Sequence, residues 1–158
     1  MVTIRAARMD DDAALFAIDV ATWTSTVSPS PMPAERETFY EGRPLDGFLV
    51  AELDGVVVGY VSMTQDIPVP SHTHVLHVNG LAVDPGAQGR GVGRQLVEGV
   101  VATARRSGRT KVTLRVLGHN TTARHLYERC GFVTEGVLKG EFVLDGRLVD
   151  DVLMAYHL

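Results

Sequence analysis

The sequence has little cysteine, no long apolar run and no excess of basic residues. Its single cysteine, Cys130, cannot form a disulfide within the chain, which suits a reducing cytosol. No apolar run approaches the roughly 20 residues that span a bilayer, and residues 1–5 lack the apolar core of a signal peptide. We therefore expect a cytoplasmic protein without a membrane partner. The net charge of −4 argues against a nucleic-acid partner, because such binding needs clustered lysine and arginine.

The composition that is present is that of an ordinary globular protein. Hydrophobic residues make up 45% of the chain and charged residues 22%, close to typical values. The length of 158 residues fits one domain with a substantial core. Neither an internal repeat nor a linker divides it, so we predict a single domain over residues 1–158.

The apolar patterns predict a chain of strands and helices. Asp54-Gly55 between two β-rich runs is a strong hairpin signal, and Asp145-Gly146 predicts a second hairpin in the tail. The order β, α, α, β, β, β, α, β, α, β, β predicts the α/β class, with a mixed, mostly antiparallel sheet flanked by about four helices. The predicted helices cover about 11–21, 34–40, 91–107 and 122–130. The predicted strands cover about 2–5, 48–53, 56–62, 74–83, 112–116, 137–144 and 147–156.

A glycine-rich segment, residues 88–93, lies between a predicted strand and a predicted helix. Backbone N–H groups and the helix dipole favour an anion there, and glycines let the backbone approach a phosphate closely. No lysine follows Gly93, which excludes a P-loop. The spacing Gly-x-Gly-x-Gly also differs from the dinucleotide fingerprint. The segment predicts a phosphate or pyrophosphate cradle, with a glycine-rich helix entry lacking any ligand as the alternative.

Two segments together resemble the GNAT superfamily of N-acetyltransferases. Gln88, Gly91 and Gly93 match its acetyl-CoA motif, Gln/Arg-x-x-Gly-x-Gly/Ala. Residues 120–132 resemble its second signature, Asn-x-x-Ala-x-x-x-Tyr-x-x-x-Gly-Phe. The tail resembles branches that acetylate small amines, amino acids or protein N-termini. The resemblance implies the GNAT fold and transfer of an acetyl group from acetyl-CoA to a primary amine, by direct attack in a ternary complex that leaves CoA.

The resemblance also implies which residues hold the cofactor. The N–H of Leu81 would face the thioester oxygen, Val83 would pair with the pantetheine arm, and the N–H groups of residues 88–94 would hold the pyrophosphate. Arg90 and Arg94 either contact phosphates or are solvated. The predicted cofactor-binding residues are Leu81, Ala82, Val83, Gln88, Gly89, Arg90, Gly91, Val92, Gly93, Arg94, Asn120, Ala123 and Tyr127.

Tyr127 is the predicted proton donor to the departing sulfur. A phenol with a pKa of about 10 is protonated at neutral pH and can donate. The alternative is a packing residue on a short helix. Asn120 is predicted to cap that helix, to contact the cofactor, or both.

His77 is the predicted catalytic base. By resemblance it occupies the position where lysine-acetylating relatives carry a glutamate, and histidine titrates near neutrality. Strand alternation predicts that it shares a face with Asn79, Leu81 and Val83. The alternatives are a structural histidine, a base supplied by Glu52 or Asp66, or a chain of waters.

Other features are predicted to have lesser roles. No metal is expected, because His72, His74 and His77 lack a carboxylate or cysteine partner at a recognised spacing. Cys130 is predicted to pack in the core. The acceptor is predicted to enter between residues 23–32, residues 62–72 and the tail hairpin. An acidic rim for it would come from Glu35, Glu37, Glu41 and Asp66.

Two rival functions remain open at the level of sequence. One is acetylation of a protein N-terminus or lysine rather than a small molecule, amino acid or polyamine-like amine. The other is a non-catalytic acyl-CoA sensor, which would keep the glycine loop but could dispense with Tyr127. Related proteins often pair through their C-terminal strands, so the resemblance is compatible with a homodimer.

Overall fold

One seven-stranded sheet runs through the protein, whose computed structural model describes residues 1–158. Its strands are β1 (Val2–Ala6), β2 (Phe48–Leu53), β3 (Val56–Thr64), β4 (Val75–Val83), β5 (Lys111–Leu117), β6 (Val133–Leu144) and β7 (Arg147–His157). Their order across the sheet is β1-β2-β3-β4-β5-β7-β6. Only β4 and β5 are parallel, and every other neighbouring pair is antiparallel. The predicted mixed, mostly antiparallel sheet is confirmed.

Three α-helices cover the two faces of this sheet: α1 (Asp12–Thr22), α2 (Val92–Arg106) and α3 (Thr121–Arg129). The first core, of 18 buried residues, includes the apolar stripe of α2 and one residue of α3. The second core, of seven buried residues, includes Leu15 and Ile18 of α1. Because the strands alternate, α1 lies on one face of the sheet and α2 and α3 lie on the other. None of the helices is long and apolar enough to cross a membrane.

Residues 34–40 form turns and bends, so the helix predicted there is wrong. The carboxylate of Asp12 accepts hydrogen bonds from the backbone N–H groups of Phe39, at 3.2 Å, and Tyr40, at 3.0 Å. These side-chain acceptors replace the backbone carbonyls that a helix would offer. Both aromatic rings are buried in the second core. The sheet therefore has three flanking α-helices rather than about four.

The parallel strands β4 and β5 pair over only part of their length. Val75–Val78 lie opposite Lys111–Leu114, and no pairing between the two strands follows. Beyond that point, residues 80–83 of β4 pair only with β3. In α/β sheets, ligands bind at such openings beyond the carboxyl ends of parallel strands. The opening fixes where a site can form.

Asn79 is an extra residue in β4. Val78 pairs with Met63 and Gly80 pairs with Ser62, so Asn79 has no partner of its own in β3. Such a bulge shifts the phase of the alternation by one residue. The prediction of unbroken alternation through Asn79 is therefore wrong.

The bulge changes the predicted face of His77. Leu81 and Val83, beyond the bulge, pack against the first core, which also contains Val78 from before it. His77 is the neighbour of Val78 and therefore points to the opposite face, where Ala82 packs against the second core. The prediction that His77 shares a face with Leu81 and Val83 is wrong. His77 instead faces the α1 side of the sheet.

A buried carboxylate, Asp19 on α1, ties the loop before β2 to the sheet. It is 1% exposed and accepts hydrogen bonds from Arg36 Nη2 at 2.6 Å and Arg43 Nη2 at 3.2 Å. The hydroxyl of Tyr60 on β3 donates to its other oxygen. Removing one partner of a buried ion pair leaves an uncompensated charge, which is more costly than never having had the pair. The packing of α1 and of the loop before β2 against the sheet therefore depends on this cluster.

Replacing Asp19 with alanine should lower the free energy of unfolding by about 3–5 kcal/mol, because Arg36 and Arg43 would lose their buried partner. Urea unfolding monitored by circular dichroism measures this change. Asp10→Ala is the control, since Asp10 is exposed and a surface change of this kind costs less than about 1 kcal/mol. Equal losses for both variants would contradict the role of the cluster.

Candidate active site

A groove of about 1060 Å³ opens where β4 and β5 separate. One end is lined by the glycine loop and the starts of α2 and α3. The other end is lined by the last turn of α1, residues 27–29 and side chains on the α1 face of the sheet. The groove therefore passes through the opening and joins the two faces.

The free edge of β4 presents backbone groups to this groove. Asp84 N donates to Val58 O at 2.7 Å, which makes these two residues a hydrogen-bonded pair of the antiparallel ladder. In an antiparallel ladder, hydrogen-bonded pairs alternate with non-hydrogen-bonded pairs, whose backbone groups point away from the neighbouring strand. Val83 and Leu81 belong to non-hydrogen-bonded pairs, so their N–H and C=O groups point away from β3. Gln88 Nε2 donates to Val83 O at 3.1 Å. Extended chain lying along this edge can pair with Leu81 and with the N–H of Val83, as an added strand would.

The glycine loop leads into the first turn of α2. Gly89 and Gly91 have φ angles of +79° and +78°, and a Cβ on either would meet nothing within 4 Å. Gly91 is the N-cap of α2, and no side chain caps the helix. The first N–H groups of the helix, on Val92, Gly93 and Arg94, therefore have no side-chain acceptor. Together with the helix dipole they form an anion site that opens to the groove.

Gly93 has a packing role in addition. A Cβ there would lie 3.1 Å from Leu126 Cδ2, so the absence of a side chain lets α3 approach α2.

The two arginines of the loop, Arg90 and Arg94, differ in their position relative to the groove. Arg94 lines the groove, although its Nε donates to Glu98 at 2.9 Å. Arg90 is exposed and is not part of the groove wall.

Asn120 begins α3 beside the groove. Its Oδ1 accepts a hydrogen bond from Ala123 N at 3.3 Å, so the predicted helix cap is confirmed. Asn120 and Ala123 both line the groove. The cap therefore also places a side-chain amide in the wall of the groove.

Tyr127 lies in the first core and is not among the residues that line the groove. Its ring packs against Phe132 with centroids 5.8 Å apart. Its hydroxyl makes no hydrogen bond within the protein, yet the only buried side-chain polar atom without a partner is Arg36 Nη1. Burial raises the pKa of Tyr127 to about 12.

Cys130, one turn further along, packs against the first core, as predicted. It also lines the groove. Burial raises the pKa of its thiol, which keeps it protonated and makes it a poor nucleophile.

His77 lines the groove on the α1 side and is partly buried. Its Nδ1 lies 2.9 Å from Thr113 Oγ1, which leaves Nε2 available to a ligand. Burial lowers the pKa of His77, the charge of Asp66 raises it, and the charges of Arg115 and His72 lower it. The imidazole is therefore neutral at pH 7 and can accept a proton.

Several polar residues of the groove were not predicted. Arg115 Nε donates to Asp151 Oδ2 at 2.6 Å, and both residues line the groove. Asp19, Arg43 and Tyr60 line its far end. Arg115 alternates with the buried apolar residues of β5, and this polar position was the one signal available. Its pairing with Asp151 depends on the register of β5 and β7.

The predicted acidic groups mostly lie elsewhere. Glu52 accepts a hydrogen bond from Arg5 Nε at 2.6 Å and is outside the groove, so its prediction as a fallback base is wrong. Asp66 does line the groove. The three other members of the predicted acidic rim do not line it: Glu35, Glu37 and Glu41.

Comparisons with known proteins show which family and fold the chain resembles. The profile of the Acetyltransferase (GNAT) family matches residues 13–132. The chain is 33% identical to the phosphinothricin N-acetyltransferase of Alcaligenes faecalis, over 96% of this chain and 80% of that one. It is 29% identical to the L-amino acid N-acyltransferase MnaT of Escherichia coli (strain K12), over 99% and 94%. An acetyltransferase from Salmonella typhimurium, solved with its cofactor acetyl-CoA, superposes with a TM-score of 0.82 at 27% identity, covering 100% of this chain and 94% of that one.

Gly91→Ala should weaken acetyl-CoA binding on the order of 10-fold, because the left-handed backbone that opens the anion site is strained by a side chain. Isothermal titration calorimetry measures the affinity. Gly108→Ala is the matched control, since Gly108 follows the other end of α2 with a φ of +74° and equally open space. Both variants should lose about 1–2 kcal/mol of unfolding free energy. Equal acetyl-CoA affinity in the two variants would contradict the assignment of the loop.

Proposed function

The chain belongs to the acetyltransferase (GNAT) family and is an N-acetyltransferase that uses acetyl-CoA, and from this premise we propose that its acceptor is the primary amine of a small molecule of the amino-acid type. One observation carries the proposal: the groove continues from the glycine loop, through the opening between β4 and β5, to a polar chamber. We use this name for the part of the groove lined by Asp19, Arg43, Tyr60, Asp66, His77, Arg115 and Asp151. Two relatives support the substrate class, since one is named for phosphinothricin and the other for L-amino acids.

The residues at the cofactor end fit acetyl-CoA. The anion site at Gly91 suits its pyrophosphate, and the free edge of β4 suits its amide-bearing arm. Acetyl-CoA supplies an acetyl thioester. We assign the N–H of Leu81 as the donor that stabilises charge on the thioester oxygen, because it points into the groove at the start of the opening.

His77 is assigned as the base. The acceptor is mostly protonated at pH 7, since an alkylamine has a pKa near 10.4 and an α-amine has a lower pKa that is still above 7. His77 Nε2 can take the excess proton, since burial keeps the imidazole in its basic form. The hydrogen bond between Nδ1 and Thr113 keeps the ring in one orientation.

Tyr127 is assigned as a hydrogen-bond donor to the departing sulfur. With a pKa of about 12, its phenol is a weaker acid than a thiol, whose pKa is about 8.5. Complete proton transfer from Tyr127 to a thiolate is therefore uphill, while donation of a hydrogen bond is not. The position of Tyr127 supports this role, since Ala123, Leu126 and Cys130 beside it in the chain line the groove.

Thiol release from acetyl-CoA in the presence of candidate acceptors tests the function. Free amino acids and small primary amines should support release with kcat/KM at least about 10-fold above that of peptides with a free N-terminus. A peptide is longer and must fit its chain between the two walls of the groove. The opposite order would indicate acetylation of protein N-termini. Acetyl-CoA binding without release for any acceptor would indicate a sensor.

His77→Gln should lower kcat about 100-fold at pH 7. The deficit should shrink as the pH approaches the pKa of the amine, since the acceptor then loses its proton unaided. In the wild type, activity should fall only below the ordinary histidine pKa of about 6.5, because burial lowers the pKa of His77. Steady-state rates from pH 5 to 10 measure both effects.

His125→Gln is the control, because His125 is an exposed histidine outside the groove. It should behave as the wild type at every pH. A deficit in His77→Gln that does not change with pH would assign His77 a structural role.

A further inference from the structure

Arg115 on β5 is held in the groove by a buried carboxylate. Its Nε and Nη2 both contact Asp151 Oδ2, at 2.6 Å for Nε. The side chain of Asp151 is 4% exposed, whereas that of Arg115 is 50% exposed. A guanidinium fixed from behind by a buried partner is oriented before any ligand arrives. Its exposed half faces the groove.

Arg115 still has donors to offer. A guanidinium carries five N–H groups, and Nη1 of Arg115 makes no hydrogen bond within the protein. A carboxylate is the ligand that such a planar set of donors matches. The other arginine at the α1 end of the groove, Arg43, is less available, because it stacks 4.4 Å from the centre of the Phe39 ring and bonds to Asp19.

The position of Arg115 relative to His77 restricts the ligand further. His77 lies opposite Thr113 in the register of β4 and β5, and Arg115 is two residues further along β5 on the same face, so the two side chains are near neighbours in the groove. In an α-amino acid, the amine and the carboxylate are attached to the same carbon. A carboxylate bound at Arg115 therefore brings the amine close to His77. Asp66 also lines the groove, where its carboxylate attracts the ammonium form of the amine.

We propose that Arg115, oriented by Asp151, binds the acidic group of the acceptor and so selects amino acids over amines that lack a carboxylate. This inference rests on the proposed function, because it assumes that an amine is acetylated in this groove. Arg115 is a specificity-determining residue in this assignment, and Asp151 is a positioning residue. A polyamine brings only positive charge to Arg115 and is disfavoured.

Matched pairs of acceptors that differ only in the carboxylate test the assignment. The pairs are L-methionine with 3-(methylthio)propylamine, L-histidine with histamine, and L-phenylalanine with 2-phenylethylamine. The wild type should favour the amino acid of each pair on the order of 10- to 100-fold in kcat/KM. Arg115→Gln should remove this preference by raising KM for the amino acids, while kcat/KM for the amines does not fall, since the positive charge that disfavours them is removed. Arg115→Lys should retain part of it, since lysine keeps the charge but not the planar donors.

Two further variants separate recognition from folding. Arg147→Gln makes the same charge change at an exposed position of β7 and should leave every ratio unchanged. The double variant Arg115→Gln/Asp151→Asn replaces the ion pair with neutral groups and avoids a buried unpartnered carboxylate. It should show the same loss of preference, with unchanged acetyl-CoA affinity.

The outcomes distinguish this inference from the proposed function. Equal losses for both members of a pair in Arg115→Gln, or a wild type that prefers the amine, would overturn the role of Arg115 and leave the acetyltransferase function intact. Thiol release with neither member of any pair would refute the proposed function, and this inference with it.

Discussion

The early separation of β4 and β5 is the constraint on which the site depends. The strands pair only over Val75–Val78 and Lys111–Leu114. Had pairing continued, the backbone groups of Leu81 and Val83 would be used within the sheet, and no passage would join its two faces. The opening also leaves the start of α2 uncovered, so the helix dipole acts on the same space. A backbone edge and an anion site thus become adjacent through one local change in the sheet.

Buried carboxylates organise the far side of the opening. Asp19 holds Arg36 and Arg43, and Asp151 holds Arg115. Such pairs contribute little net stability, because desolvating the charges offsets their attraction. They do fix long, flexible side chains in one orientation, as the proposed placement of an amine requires. The main effect of these ion pairs is therefore to orient the side chains at this end of the groove, and not to add net stability.

Features that depend on neighbouring residues could be predicted from the sequence. Features that depend on pairing with distant residues could not. The glycine loop of residues 88–93, the two hairpins and the apolar stripe of α2 depend on neighbouring residues, and the sequence patterns locate them. The face of His77 depends on a bulge at Asn79 that only pairing with β3 reveals. The turns at residues 34–40 depend on hydrogen bonds to Asp12, which is far away in the chain. Arg115 was missed for the same reason, since its partner is on another strand.

The proton balance of the proposed reaction assigns different tasks to the two candidate catalytic residues. An acceptor that begins as an ammonium loses two protons when it is acylated, and the departing thiolate takes up one. Tyr127, with a pKa of about 12, keeps its own proton through this exchange and can only stabilise the sulfur by a hydrogen bond. His77, neutral because it is partly buried, is the group that can take a proton from nitrogen and release it again near pH 7. Proton movement is therefore assigned to the α1 side of the sheet, and stabilisation of the leaving group to the α3 side, with the opening between β4 and β5 connecting them.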